Sequence, residues 1–285
     1  MAATIKDTFK INSAIHNCFP VLSCIQRFQD DKIIITESVN LALIYDLSKL
    51  FCVRSFTFTS LLPLSAPIVY DAAGDRLIAI KNRTQIDRIR GECDEVQSVK
   101  LDKTRAIRCV LAGHNCPCLV VFENDRLCEL ERLLQDEENE LEAQHQLRAP
   151  TKNGRLERFA VVASAINNLR FWAEFADEQQ GNRHYVLFNF NFILNELAAQ
   201  TKIVVSQAPE TISFTTDNLL TIDRDGRLKT LTSRSPGGEF IFEPVLKDGD
   251  ELLDHGYLAL KDNVRWAFLN VQSIRFATAN FDVPF

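Results

Sequence analysis

One device recurs along most of the chain: two short apolar runs separated by a residue pair rich in Asn, Asp or Gly. Residues 33–36 face 41–45 across Val39-Asn40, residues 77–80 face 84–89 across Asn82-Arg83, and residues 118–122 face 127–130 across Asn124-Asp125. The pattern returns with 171–175 and 185–188 around Gly181-Asn182, with 219–222 and 228–231 across Asp225-Gly226, and with 257–260 and 264–268 across Asp262-Asn263. Asn, Asp and Gly accept the positive φ that tight hairpins require, so each unit predicts a β-hairpin. The turn centres at 40, 82, 124, 181, 225 and 262 are separated by 42, 42, 57, 44 and 37 residues. Four of these intervals lie near the roughly 40–45 residues of one propeller blade. Further apolar runs precede the hairpins (21–28, 66–70, 107–111) or follow them (52–58, 96–101, 274–278), which makes four strands per unit.

A four-stranded unit cannot bury both its faces alone, and radial stacking solves that while protecting its edges. The expected fold is therefore all-β: a β-propeller of six or seven divergent WD40-like blades, with residues 1–285 as a single domain. The long interval is assigned to an insertion at about 135–154, which contains an acidic run at 136–142. Six hairpins give six blades; a seventh would draw on residues beyond 285 or on 4–11. Tyr45-Asp46 stands where a WD repeat carries Trp-Asp, whereas Trp172 and Trp266 are both followed by Ala. A β-sandwich or two smaller β domains also fits strands at regular spacing. The near-constant interval favours the propeller.

The 285 residues are 46% hydrophobic and 25% charged with a net charge of −6, enough apolar material for a core and too much for a disordered chain. Twenty Phe against one Met suits a pleated, half-buried surface. The first residues lack the apolar run of a secretory signal, and no stretch approaches the roughly 20 apolar residues of a membrane helix, so a cytosolic or nuclear protein is expected. All eight cysteines fall in the first half, mostly within apolar runs, as reduced buried thiols would. The densest metal candidate is Cys109, His114, Cys116, Cys118 and Cys128. Its C-x-C crosses a proline and has no loop to wrap an ion, so buried thiols are favoured over zinc. No metal and no cofactor is expected.

The sequence-local signatures G-x-S-x-G, G-x-x-x-x-G-K, G-x-G-x-x-G and H-E-x-x-H do not occur. Residues 81–108 carry eight basic side chains (Lys81, Arg83, Arg88, Arg90, Lys100, Lys103, Arg105, Arg108) against five acidic ones and no aromatic. Phosphate contacts want clustered Lys and Arg, and single strands want aromatic platforms as well. A solvated surface is favoured, with an RNA or acidic-partner patch at Lys81, Arg83, Arg88, Arg90, Arg105 and Arg108 as the alternative. Leu130, Leu133, Leu134 and Leu141 could place residues 127–141 on a short helix serving as a docking element; a solvated acidic loop fits equally.

Residues 35–48, 74–90 and 117–134, which include a strand ending Ile44-Tyr45, the Asn-centred hairpin at 82 and the strand 119–122 leading into Leu130-Glu131-Arg132-Leu133-Leu134, resemble the N-terminal region of the nucleolar protein 11 family. The likeness runs from about residue 35 to 134. It implies a non-enzymatic scaffold subunit of the small-subunit processome in the nucleolus, linking ribosomal RNA transcription to pre-rRNA processing in ribosome biogenesis. Its partners would be other processome subunits, with pre-rRNA contacted indirectly, no membrane and no small-molecule substrate. Family members follow the propeller with a C-terminal helical region that residues 1–285 do not include, as expected of either an N-terminal fragment of a longer protein or a shortened relative. The alternatives are a propeller adaptor of a nuclear pore, vesicle coat or ubiquitin ligase, and a propeller enzyme with a channel site.

Overall fold

The six hairpins are paired in the computed structural model, and the strands around them form antiparallel sheets. The structure describes residues 10–16, 25–27, 32–38, 41–46, 51–57, 69–71, 76–81, 83–90, 95–101, 106–113, 116–135, 145–177, 179, 181–206, 212–214, 219–222, 228–233, 240–244, 257–261, 265–269 and 273–278. Strand β1 (Lys10–His16) comes first. A first sheet then follows in chain order: β2 (Ile25–Arg27), β3 (Lys32–Ser38), β4 (Leu41–Asp46) and β5 (Phe51–Thr57). The second holds β6 (Val69–Asp71), β7 (Arg76–Lys81), β8 (Gln85–Arg90) and β9 (Glu95–Lys100). The third holds β10 (Ile107–Leu111), β11 (Leu119–Phe122), β12 (Arg126–Glu129) and β13 (His145–Gln146), with the helix α1 (Leu130–Gln135) between its last two strands. The fourth is β14 (Gly154–Ala165), β15 (Asn168–Asp177), β16 (Asn182–Asn191) and β17 (Glu196–Ser206). The fifth is β18 (Ser213–Phe214), β19 (Leu219–Ile222), β20 (Leu228–Ser233) and β21 (Phe240–Pro244).

The remaining sheet departs from chain order. It joins β22 (Tyr257–Lys261), β23 (Arg265–Leu269) and β24 (Ser273–Thr278) to β1, which lies against β24 from Lys10↔Thr278 to His16↔Ser273. The hairpin at Asp262-Asn263 is consequently the outer pair β22–β23 of its sheet, whereas the other five hairpins are central pairs. That shift of phase accounts for the short last interval of 37 residues in the turn spacing.

Alternation along the strands decides what packs between sheets, because successive side chains point to opposite faces. In β11, Leu119 and Val121 enter the core shared with the fourth sheet, while Val120 and Phe122 enter the core shared with the second. In β15, Phe171, Ala173 and Phe175 face the third sheet and Trp172 faces the fifth, against Ile212, Leu219 and Leu231. Phenylalanines dominate the third–fourth interface: Phe171 and Phe188 stack with centroids 5.6 Å apart, and Phe190 meets Phe192 edge-on at 5.0 Å. Burying each such ring contributes about 1.5–3 kcal/mol before entropy is charged against it. Close approach also fixes Gly113. A Cβ there would fall 2.5 Å from Ser164 Cβ, 2.6 Å from Cys116 Sγ and 2.8 Å from Leu169 Cδ1.

The leucine segment at 127–141 is organised differently from the docking helix considered above. Residues 126–129 are strand, and α1 spans only Leu130–Gln135 with Leu130 and Leu133 buried between the second and third sheets. The helix therefore packs inward: its Glu131 pairs with Arg76 of the second sheet, and Arg76 in turn holds Asp71 at 2.9 Å. The acidic run at 136–142, Leu141 included, lies outside the described residues. Within the span assigned to an insertion, β13 pairs Arg126↔Gln146 and Leu127↔His145 and so completes the third sheet. Among the described residues, no helix is long and apolar enough to cross a membrane.

Candidate functional site

The basic stretch is spread over the second and third sheets. Lys81 closes β7 opposite Gln85 at the turn, and Arg90 closes β8 at the far end of the same hairpin, opposite Arg76. Arg88 is half-buried opposite Ile78. Arg83, in the turn, pairs with Glu123 of the third sheet at 3.1 Å. Arg108, on β10, reaches Asp125 at 3.0 Å and Glu123 at 3.7 Å, and its Nη1 donates to the Leu156 carbonyl of the fourth sheet at 3.1 Å. Arg105 lies outside the described residues. Arg83 and Arg108 thus act as bridges between neighbouring sheets: Arg83 through Glu123, 40 residues further along the chain, and Arg108 through the Leu156 carbonyl, while its acids come from the β11–β12 turn of its own sheet.

The thiols behave as packing groups. Burial pushes Cys109 and Cys116 up to about 12; Arg108 and the Gly113 backbone respectively offset part of that rise. Cys118 lies well above the ordinary thiol range through burial and the neighbouring Asp71 carboxylate. A zinc site needs thiolates. Among the described residues, no group of three or more His, Cys, Asp or Glu is arranged to hold a metal ion. His114 lies outside the described residues. His145 Nε2 lies 3.3 Å from Asn195 Oδ1, which can only accept, and the ring packs edge-on to Phe190, while His184 is buried in β16 opposite Phe175.

Sequence spacing did not point to the charged cluster that the structure builds on the fourth sheet. Glu174, 1% exposed, accepts from Arg158 Nε at 2.6 Å and from Arg183 Nη1, and the Tyr185 hydroxyl lies 3.4 Å from its Oε1. The side-chain hydrogen bond to Glu174 holds Arg183 above its usual value against the opposing pull of burial. Burial and the Glu174 carboxylate raise Tyr185, so this phenol stays protonated in water. Arg155 and Glu157 form a neighbouring exposed pair at 2.7 Å. These residues span 155 to 185, and only strand register brings them together.

The other end of the same sheet is apolar. Its strands are 12, 10, 10 and 11 residues long against 2 to 6 in the third and fifth sheets. The turns β14–β15 and β16–β17 expose Ile166 (74%), Ile193 (69%) and Leu194 (63%). They are tied together: Phe192 N–H donates to the Asn167 carbonyl at 2.9 Å, and Leu194 N–H donates to Asn191 Oδ1 at 2.9 Å. The exposed side chains therefore stand on a fixed support.

No protein-family model matches the chain, and no curated protein sequence matches it. Solved structures do. BBS1N, crystallised in complex with ARL6DN, is similar with a TM-score of 0.55 and 11% identity, covering 96% of this chain and 98% of that one. BamB from Moraxella catarrhalis is similar with a TM-score of 0.50 and 9% identity over 95% of this chain and 99% of that one. The β-propeller domain of Cps50 (Swd1) from Myceliophteria thermophila follows with a TM-score of 0.49 and 10% identity over 93% and 98%. The fold is that of the β-propellers. At such identities the likeness concerns architecture, and function must be argued from surfaces.

Proposed function

We propose that this chain is a non-enzymatic propeller scaffold that holds protein partners, and that its assembly is the early small-subunit processome of the nucleolus. The six sheets would form a six-bladed ring closed by β1 on β24. The observation that carries the scaffold reading is the pair of linked turns presenting Ile166, Ile193 and Leu194. Exposed aliphatic side chains on a rigid support suit the core of a protein interface, where little ordering entropy remains to be lost. The neighbour crystallised with ARL6DN is a propeller that binds a protein, and this chain is proposed to work in the same general way. The nucleolar assignment draws on the resemblance across residues 35–134.

The test is affinity purification of the tagged chain from its native cells, with mass spectrometry and sequencing of bound RNA. Processome subunits together with pre-rRNA are the expected outcome. Nucleoporins, coat subunits or ligase subunits in their place would keep the scaffold and discard the nucleolar role. The variant Ile166→Ser/Ile193→Ser/Leu194→Ser should fold normally and lose direct partners; an unchanged partner set would remove these turns from the interface.

A further inference from the structure

The fourth sheet ends in a long, open strand. Strand β17 pairs with β16 from Asn191↔Glu196 to Asn182↔Ser206, and no described strand is paired to its other side. It holds 11 residues, whereas the end strands of the other five sheets hold 2 to 7. Its first half is accessible: Glu196, Ala198, Ala199, Gln200, Thr201 and Lys202 are exposed. Ile203 and Val205, further on, enter the core shared with the fifth sheet. The opposite end strand, β14, offers less, because it carries two bulges and is mostly half-buried. An open edge presents unmatched N–H and C=O groups, and natural sheets shorten it or place charge or proline on it. Residues 196–202 contain no proline, and only the two end residues are charged. The one interruption is Gln200, bulged between Ala199 and Thr201 and accepting through Oε1 from Arg170 Nε at 3.1 Å.

This edge continues directly from the turn that exposes Ile193 and Leu194. Three aliphatic tips cover on the order of a few hundred Å², short of the roughly 800 Å² per partner of a stable interface, so a partner must also engage what lies beside them. What lies beside them selects an extended segment, since a helix satisfies its own amides and cannot use an open ladder. Register states the side chains such a segment needs. Leu197 lies opposite Phe190 and Ala199 opposite Phe188 on the face toward the third sheet, while Glu196 lies opposite Asn191 and Ala198 opposite Asn189 on the other. An added strand continues both rows, aliphatic beside Leu197 and Ala199 and polar or basic beside Glu196. A second copy fits less well: two such edges paired antiparallel about Ala198 would set the bulged Gln200 of each against Glu196 of the other. We propose that residues 196–199 of β17 and the adjoining turn take up an extended segment of a partner protein, with alternating aliphatic and polar residues, as an added strand of the fourth sheet. The proposal rests on the scaffold reading and names the chemistry of one partner.

The test selects random linear peptides displayed on phage against the full chain and measures the leading sequence, synthesised and labelled, by fluorescence anisotropy. The enriched sequences should alternate aliphatic and polar residues. Every second amide of an added strand points to β17, so N-methylation of one alternate set should weaken binding about tenfold or more while methylation of the other set leaves it unchanged. Ala198→Lys/Ala199→Lys, which places charge on the exposed edge, should weaken binding to a similar extent, and Arg83→Gln should leave it unchanged. Thermal melts establish that the variants fold; if the double variant does not, Ala198→Lys alone provides the measurement, because its side chain is exposed. No enrichment, equal loss from both methylated sets, or binding unmoved by the lysines would overturn the proposal. Dimerisation of the unmodified chain that the lysines abolish would assign the edge to a second copy and overturn it as well. Failure here with partners still lost in Ile166→Ser/Ile193→Ser/Leu194→Ser removes the edge and keeps the scaffold reading, whereas peptide binding with no partners recovered from cells keeps the edge and removes that reading.

Discussion

Arg83 and Asp125, 42 residues apart, occupy the same place in successive sheets: each is the left-handed residue of its central hairpin, with φ of 59° and 61°. The carbonyl of Arg83 accepts from Ile107 N–H at 2.7 Å, and that of Asp125 accepts from Leu147 N–H at 2.8 Å. The repeat is therefore carried by backbone geometry even where side chains have diverged.

The left-handed region costs an ordinary L-residue about 1 kcal/mol that glycine escapes. Arg83→Gly should raise stability by about 0.5–1 kcal/mol, since the exposed Arg83–Glu123 pair it loses is worth little. Asp125→Gly should gain less, because it also removes the partner of Arg108 at 3.0 Å. Urea midpoints at constant m-value measure both; a greater gain for Asp125→Gly would show that its bridge to Arg108 contributes nothing.

Gly113 is required for space and Gly181 for conformation. Gly113→Ala drives a methyl group into Ser164, Cys116 and Leu169, and about 1–3 kcal/mol should be lost. Gly181→Ala has open space and meets only the strain of φ 66°, about 1 kcal/mol. Adding Ser164→Gly to Gly113→Ala should return part of the loss in a thermal melt. No recovery would move the clash elsewhere.

The buried thiols predict both reactivity and alkaline behaviour. With Cys109 and Cys116 near 12, about one thiol in ten thousand is ionised at pH 8, so a disulfide reagent should label the exposed Cys52 long before these two. A folded-state pKa above the unfolded value of 9.0 means that the unfolded chain ionises first. Stability should hold below pH 9 and fall as the pH rises from about 9 toward 12. Cys116→Ala should flatten that decline in melts taken across the range; an unaltered slope would assign the decline to other groups.

The hairpins were legible because each is local: residues 77–80 and 84–89 declare their pairing within a dozen positions. The same holds for the preceding runs that became β2, β6 and β10. What could not be read is long-range. Nothing near Lys10 announces Thr278, so the local pattern alone makes the sixth hairpin a central pair, whereas β1 makes it an edge pair. A local count of charges over 81–108 misses Glu123, which engages Arg83 from the next repeat. The cluster around Glu174 has no sequence signature, since register alone brings Arg155, Arg158 and Arg183 to it. In the leucine segment, tertiary packing ended the helical periodicity early by using 126–129 as a strand.

The pairing of β1 with β24 also sets a timetable. At roughly 5–20 residues per second, the partner of Lys10 leaves the ribosome some 15–50 s after Lys10 itself. Through that interval the first strand is exposed with its hydrogen-bonding edge unmatched, while the sheets between fold in turn. The nascent chain thus carries a waiting strand until translation reaches residues 273–278, a natural client over that interval for whatever holds unfinished chains apart.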